Sequence, residues 1–439
     1  MKSISIFGLG YVGAVTAACL ASRGRKVIGV DPNPLKVDRI QAGMSPIVEA
    51  DVPELVADAK RDGLISATHD AKVAVANSEI SFISVGTPSQ RNGELDLTHI
   101  RKVCADIGQA LQSKDAFHWV VLRSTVLPGT TENVVIPALE AASGKKAGRD
   151  FLVCFNPEFL REGTAVSDFF NPPFTIVGTD DPALATPVTE LYGFLPARWY
   201  ETRIPSAEMV KYSCNAFHAL KVAFANEIGS ICSMLGVDAK VVSDIFKSDT
   251  QLNVSSAYLT PGFAFGGSCL PKDLRALTYR TKELDLKLPL LESILPSNSE
   301  HIDRAVESIL TLGKRQVGIL GLSFKSGTDD LRESPMVHLV KKLIAEGCHI
   351  KIWDENVLLG QLIGSNRQFI NEYIPHIGSL LREDLDEVIS QAEVVVKATN
   401  AVSREQLTAK LRADQFLLDI ENIDYRLLKP GSEAAVSGF

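Results

Sequence analysis

The run Ile4-Ser5-Ile6-Phe7-Gly8-Leu9-Gly10-Tyr11-Val12-Gly13, followed by Asp31 at the end of a second apolar run, decides the fold. Ile4 to Phe7 predicts a short buried strand, Gly8 to Gly13 a glycine turn, and about Ala14 to Ser22 a helix. Lys26 to Val30 predicts the next strand, with Asp31 about twenty residues beyond the turn. Strand, turn, helix, strand and terminal acid in this order make a dinucleotide fingerprint. Gly8, Gly10 and Gly13 let a pyrophosphate approach the helix N-terminus, and Asp31 accepts hydrogen bonds from the adenosine ribose. An acid there favours NAD over NADP, because a 2′-phosphate would meet negative charge.

Working outward, apolar strands Glu79 to Val85 and Trp119 to Leu122 end at Thr87 and Thr125. Ligands of open parallel sheets lie beyond the carboxyl ends of the strands, so these hydroxyls either line a cofactor crevice or cap turns. Lys36 is placed to reach adenosine phosphates or to stand in solvent. The strand Phe151 to Phe155 leads into Asn156-Pro157-Glu158-Phe159-Leu160-Arg161-Glu162-Gly163, where Glu158 and Glu162 are either site carboxylates or acids of a surface turn. Strand character returns briefly at Phe174 to Val177, and this first domain closes near Arg203.

Ser206 to Leu235 predicts one long helix. At about 100° per residue, Lys211, Asn215, His218, Val222 and Asn226 fall within a band of about 80°. Amides and a histidine suit directional hydrogen bonding in a cleft, whereas a solvent face usually carries Glu, Lys and Arg. Beyond it, Gly262-Phe263-Ala264-Phe265-Gly266-Gly267-Ser268-Cys269-Leu270-Pro271-Lys272-Asp273 concentrates backbone freedom around one thiol. Pro271 and Asp273 suit a first helical turn, whose free amides, with Lys272 nearby, would stabilise a thiolate. A cysteine taken at random is a small buried apolar residue; this setting reads instead as a nucleophile. A third region, from Gln316 to Leu320 through Gly321-Leu322-Ser323-Phe324-Lys325 to a strand ending at Asp354, repeats the opening layout without its fingerprint. It predicts a second nucleotide-binding domain, with Lys325 and Arg332 available to phosphates.

The 439 residues exceed one ordinary core of roughly 150 residues. The expected division is an NAD-binding domain 1–203, a central helical region 204–300 and a nucleotide-sugar domain 301–439. The fold class is α/β: two Rossmann-like, doubly wound parallel-sheet domains joined by a long central helix. A net charge of −8 without a basic cluster argues against nucleic acid, and no apolar run is long enough to span a bilayer. Seven scattered cysteines without a Cys-x-x-Cys pair point to no metal and to a reducing, cytoplasmic setting. The direct start from Met1 and Lys2 into a strand carries the same expectation.

An NAD domain, a polar-striped helix, a reactive thiol and a second nucleotide domain suggest oxidation of a sugar carried on a nucleotide. A thiol can hold an aldehyde as a thiohemiacetal, release a second hydride and leave a thioester for water. IFGLGYVG, VGTPS, STVLPGT, NPEFLREGTA, KYSCNAFH, GFAFGGSCLPKD and LGLSFKSGTDDLRESP together resemble the nucleotide-sugar 6-dehydrogenase family over nearly the whole chain. The resemblance implies Cys269 as nucleophile, Lys211 and Asn215 as oxyanion stabilisers, and Asp273, Thr125 and Glu158 as organisers of proton transfer. It implies NAD contacts from Tyr11, Val12, Asp31, Lys36, Thr87, Thr125, Lys272 and Arg332. Glu162, Lys211, Asn215, His218, Asn226, Tyr258, Gly262, Phe263 and Lys325 would meet the nucleotide sugar.

His218, the NPPFTIVG run and LSFKSGTDD resemble the branch that oxidises GDP-mannose to GDP-mannuronate. UDP-glucose oxidation is the alternative, and a two-electron hydroxy-acid dehydrogenase or an inactive NAD sensor are wider ones. Ala257 and Thr260 depart from that branch, which carries an aromatic and an arginine there. The family also implies a homodimer or higher homo-oligomer formed through the central helix.

Overall fold

A computed structural model of the chain describes residues 3–88, 90–92, 94–255, 258, 262–267, 269–323, 331–357, 364–399 and 401–420. It divides into two compact units, residues 1–219 and 220–439, and the division falls inside the helix Ile204–Leu235.

The first unit is built on eight strands: β1 (Ser3–Phe7), β2 (Lys26–Val30), β3 (Ile65–Thr68), β4 (Ile80–Ile83), β5 (His118–Leu122), β6 (Phe151–Phe155), β7 (Phe174–Gly178) and β8 (Arg198–Thr202). Their order is β3-β2-β1-β4-β5-β6-β7-β8, so the winding reverses between β1 and β4. β4 and β6 are buried at every residue, as expected of strands covered on both faces. Alternate residues feed two cores: Ile4, Ile6, Phe82, Val121 and Cys154 on one face, and Phe7, Ile83, Val120, Leu122 and Phe155 on the other.

The sheet departs from the expected parallel pattern at one place, where β6 and β7 pair antiparallel through Phe155 and Gly178. β8 is an addition to the sequence reading. Its residues are exposed or half-buried throughout, so this edge strand lacks the apolar alternation that would reveal it. The first helix begins at Tyr11, three residues before the expected start, because the chain turns helical directly after the extended Gly10.

The second unit takes the rest of the long helix, then the helices Ala239–Ser248, Leu270–Glu283 and Pro289–Thr311. Its sheet is parallel, with β9 (Gln316–Leu320), β10 (His349–Trp353), β11 (Val394–Lys397) and β12 (Phe416–Asp419) in the order β10-β9-β11-β12. The repeat of the opening layout extends to hydrogen bonds. Gly8 N donates to Val30 O at 2.7 Å, and Gly321 N to Trp353 O at 2.8 Å. Leu9 N donates to Asp31 Oδ2 at 2.7 Å, and Leu322 N to Asp354 Oδ2 at 2.6 Å.

A polar chain crosses the first sheet. Ser5 Oγ and Ser81 Oγ lie 2.7 Å apart, Ser81 Oγ meets His118 Nε2 at 2.8 Å, and His118 Nδ1 meets Lys114 Nζ at 3.0 Å. Since Lys114 only donates, His118 Nδ1 accepts and Nε2 carries the proton. Burial, with the Lys114 charge beside it, pulls His118 down to about 3. The unfolded chain, with an ordinary imidazole, therefore binds a proton that the folded chain refuses as pH falls below about 6.5. Stability should be full above that value and fall towards about pH 3, by at most about 1.4 kcal/mol per pH unit from this group. Urea unfolding across this range should show that slope in the native chain and a shallower one in His118→Asn.

Candidate active site

The three fingerprint glycines have different physical reasons. Gly8 lies at φ 95°, and a Cβ there would sit 2.8 Å from Ser84 O. A Cβ on Gly13 would lie 1.8 Å from Gly8 O, so only glycine lets the helix Tyr11–Ala21 seat against the end of β1. At Gly10 a Cβ would meet nothing within 4 Å, and no side chain caps the helix. That open, uncapped N-terminus beside a buried acid fits a dinucleotide pyrophosphate and ribose. Asp31 is 5% exposed; it accepts from Leu9 N and Asn33 N and pairs with Lys36 Nζ at 3.2 Å. Half-buried Val12 follows Tyr11 in the first turn. The Tyr11 hydroxyl donates to Glu49 at 2.7 Å.

Beyond β4 and β5, Thr87 Oγ1 donates to Thr125 O at 2.8 Å, tying the two hydroxyl-bearing loops together. Glu208, fully buried on the long helix, accepts from Gly129 N, Thr131 N and Thr131 Oγ1, which anchors the loop containing Thr125. Burial pushes the Glu208 carboxyl up, and these donors oppose the shift. Beyond β6, Glu158 forms an ion pair with Lys211 at 3.0 Å, their side chains 11% and 8% exposed. Lys211 Nζ also lies 5.3 Å from the Phe159 ring centre. Arg123 donates to Asn156 Oδ1 and to the Tyr192 hydroxyl, joining the residues just after β5 and β6. Glu162, Asn215 and His218 are exposed.

In the second unit, Cys269 is the N-cap of the helix Leu270–Glu283, with Pro271 in its first turn. It alone of the seven cysteines is exposed. Burial pushes the thiols of Cys19, Cys104 and Cys154 up to about 12. Lys272 pairs with Asp273 at 3.0 Å, and that carboxylate, with a smaller contribution from Cys269, raises the lysine. Gly266 packs on the chain at Glu333, where a Cβ would lie 2.3 Å from the carbonyl oxygen. Arg275 Nη2 donates to Glu333 Oε1 at 2.8 Å. Asn226 and Tyr258 are exposed, Gly262 and Arg332 are half-buried, and Phe263 packs partly against the core of this unit. Lys325, Ala257 and Thr260 lie outside the described residues.

Family models cover most of the chain: the NAD binding domain of the UDP-glucose/GDP-mannose dehydrogenase family matches residues 2–195, its central domain 205–300 and its UDP binding domain 318–424. The chain belongs to the UDP-glucose/GDP-mannose dehydrogenase family. Among members, it is 50% identical to GDP-mannose 6-dehydrogenase of Pseudomonas aeruginosa, over 95% of this chain and 96% of that protein. It is 35% identical to a UDP-glucose 6-dehydrogenase of Bacillus subtilis, over 81% of this chain and 76% of the relative. The crystal structure of a ternary complex of GDP-mannose dehydrogenase from P. aeruginosa matches with a TM-score of 0.92 and 50% identity, covering 96% of each chain. A UDP-glucose dehydrogenase from Pyrobaculum islandicum matches with a TM-score of 0.56 and 34% identity, covering 97% of this chain and 95% of that one. The UDP-glucose/GDP-mannose dehydrogenase fold thus supplies the NAD binding domain that the glycine turn announced.

Glu49, Arg123, Glu208 and Glu333 escaped the sequence reading of this UDP-glucose/GDP-mannose dehydrogenase. Each acts through partners far away in the chain, and none lies in a local pattern that marks it. The buried Glu158–Lys211 pair sets a measurable expectation. Lys211→Met should leave a buried carboxylate unpaired and cost about 3 kcal/mol of stability, and adding Glu158→Gln should restore most of it. Urea unfolding of the two variants checks this.

Proposed function

We propose that the chain oxidises GDP-mannose to GDP-mannuronate in an NAD-dependent, four-electron reaction that passes through a thioester on Cys269. The carrying observation is that Cys269 alone among seven thiols is exposed, at the N-terminus of a helix, in a chain 50% identical to a GDP-mannose 6-dehydrogenase over 95% of its length.

NAD, when bound, supplies the hydride acceptor for both oxidations. Gly8, Gly10, Tyr11, Val12 and Gly13 would hold its pyrophosphate side, and Asp31 and Lys36 its adenosine side. Thr87, Thr125, Lys272 and Arg332 complete the cofactor contacts. Glu162, His218, Asn226, Tyr258, Gly262, Phe263 and Lys325, with Lys211 and Asn215, would bind the sugar nucleotide.

The first oxidation turns the sugar alcohol into an aldehyde, and its hydroxyl proton leaves through Lys211 to Glu158. The Cys269 thiolate adds to the aldehyde carbon, giving a thiohemiacetal whose oxyanion Lys211 and Asn215 stabilise. Loss of the second hydride leaves the thioester. Water, oriented by Asp273, Thr125 and Glu158, adds to that carbon and gives up its two protons by way of the two carboxylates to solvent; the C–S bond breaks, the sulfur leaves as thiolate and the sugar as carboxylate.

The division into an NAD-binding domain 1–203, a central region 204–300 and a nucleotide-sugar domain 301–439 belongs to this reading, supported by the ranges of the three family models. A second copy of the chain would cover exposed apolar residues of the central region, among them Leu220, Val222, Val241, Ile245 and Phe246. Among the described residues no helix is long and apolar enough to cross a membrane. The scatter of seven cysteines without a Cys-x-x-Cys pair supports a reducing, cytoplasmic setting.

Purified chain should form two NADH for each GDP-mannose consumed, with GDP-mannuronate as product. UDP-glucose should react with kcat/KM at least about tenfold lower, a difference of about 1.4 kcal/mol in transition-state binding. Cys269→Ser should form no acid. One NADH per sugar, or equal use of UDP-glucose, would overturn the assignment.

A further inference from the structure

Glu49 lies between the helices Pro34–Gln41 and Val52–Arg61 and is 7% exposed, a charged residue buried without a cationic partner among its hydrogen bonds to the described residues. Its carboxylate gathers donors from two distant parts of the first unit. Oε2 accepts from the Tyr11 hydroxyl at 2.7 Å and from Gly163 N at 2.8 Å, and Oε1 accepts from Ala165 N at 2.9 Å. Tyr11 belongs to the glycine turn, whereas Gly163 and Ala165 close the loop that starts at Glu158 and contains Glu162. The Tyr11 hydroxyl lies a further 3.2 Å from Arg161 O on the same loop. An open pocket of about 490 Å³ is lined by Tyr11, Ile47, Val48, Glu49, Glu162 and Gly163.

Hydrogen bonds to an ionised acceptor are roughly twice as strong as neutral ones. The Tyr11 hydroxyl, first among the causes, holds the Glu49 carboxyl below the usual carboxylate range, which keeps it an acceptor for all three donors. One anion therefore fixes both the cofactor turn and the loop bearing the two site carboxylates. Because Tyr11 and the two backbone amides share one carboxylate, any displacement of the Tyr11 side chain by a ligand in the turn would change the acceptor that holds Gly163 and Ala165. A carboxylate serving only to anchor that loop would need the two backbone donors and not the tyrosine.

We propose that Glu49 is a positioning residue that couples the glycine turn to the Glu158–Glu162 loop through Tyr11, so that dinucleotide and nucleotide sugar bind cooperatively. This rests on the assignment of cofactor and substrate under Proposed function. Coupling between two ligands is reciprocal, so one titration measures it.

The test is the Kd of NADH, read from its own fluorescence, with and without saturating GDP-mannose in the full chain. That pair does not react, because the cofactor is already reduced. In the native chain GDP-mannose should tighten NADH about tenfold, within the usual range of coupling. Glu49→Gln and Tyr11→Phe should each bring the ratio to within about twofold of unity. Tyr11→Phe should stay folded with a melting temperature lowered by only a few degrees, since both backbone bonds to Glu49 remain, and a folded variant with the ratio lost separates coupling from folding. A native ratio near unity, or a tenfold ratio retained in Tyr11→Phe, overturns the proposal. Product formation by the native chain is followed in parallel. GDP-mannuronate formed with ratios unchanged by the substitutions sinks the coupling alone. Absence of product from GDP-mannose sinks the substrate assignment, and the coupling then stands or falls on the same ratios measured with UDP-glucose.

Discussion

The carboxyl edge of the first sheet depends on how closely the helix Tyr11–Ala21 can approach β1. At Gly13 the backbones meet so tightly that a single added carbon would lie 1.8 Å from the Gly8 carbonyl oxygen. That contact aims the helix N-terminus over the strand ends and leaves Gly10 open beside it. The site for a dinucleotide is therefore a consequence of packing: the anion-binding end of the helix is held where the winding of the sheet reverses.

The loops beyond the strands are held in a different way, by charged side chains taken out of water. Glu208 grips the loop after β5, Lys211 pairs with Glu158 after β6, and Glu49 holds the end of the Glu158–Glu162 loop. Arg123 and Asn156 join the first residues after β5 and β6. A buried charge is costly unless its partners are in place, so each one specifies a loop position more sharply than an apolar contact could. Two of these anchors, Glu208 and Lys211, sit one turn apart at the start of the long helix. The helix thereby fixes the Thr125 loop and the Glu158 loop together.

The second unit applies the same strand-end device without the dinucleotide turn. Gly321 and Asp354 reproduce the hydrogen bonds of Gly8 and Asp31, while Asp354 Oδ2 also accepts from Ser323 N and its Oδ1 from Asn356 N and Val357 N. The thiol stands at the head of a helix braced by Arg275 on Glu333, and Gly266, just before it in the chain, packs against the same residue. Glu333 itself adopts φ 53°, a conformation that costs a non-glycine residue of order 1 kcal/mol or more and marks how firmly this contact is imposed.

By itself the sequence determined what local chemistry determines. Apolar period and glycine placement identify the first strand, turn and helix, and Asp31 follows at the distance that the βαβ unit requires. A proline and an acid after Cys269 mark a helix start, and the structure places the cysteine there as N-cap. Tertiary structure alone decided the antiparallel turn of β7, the exposed edge strand β8 and the anchors of the loops. β8 has no apolar alternation because one edge of a sheet needs none. Glu49 meets Ala165 across 116 positions of chain and Glu208 meets Thr131 across 77, so no neighbouring residue carries a trace of either bond. Short-range sterics are written into adjacent residues; a buried hydrogen bond between distant ones exists only once the cores have brought them together.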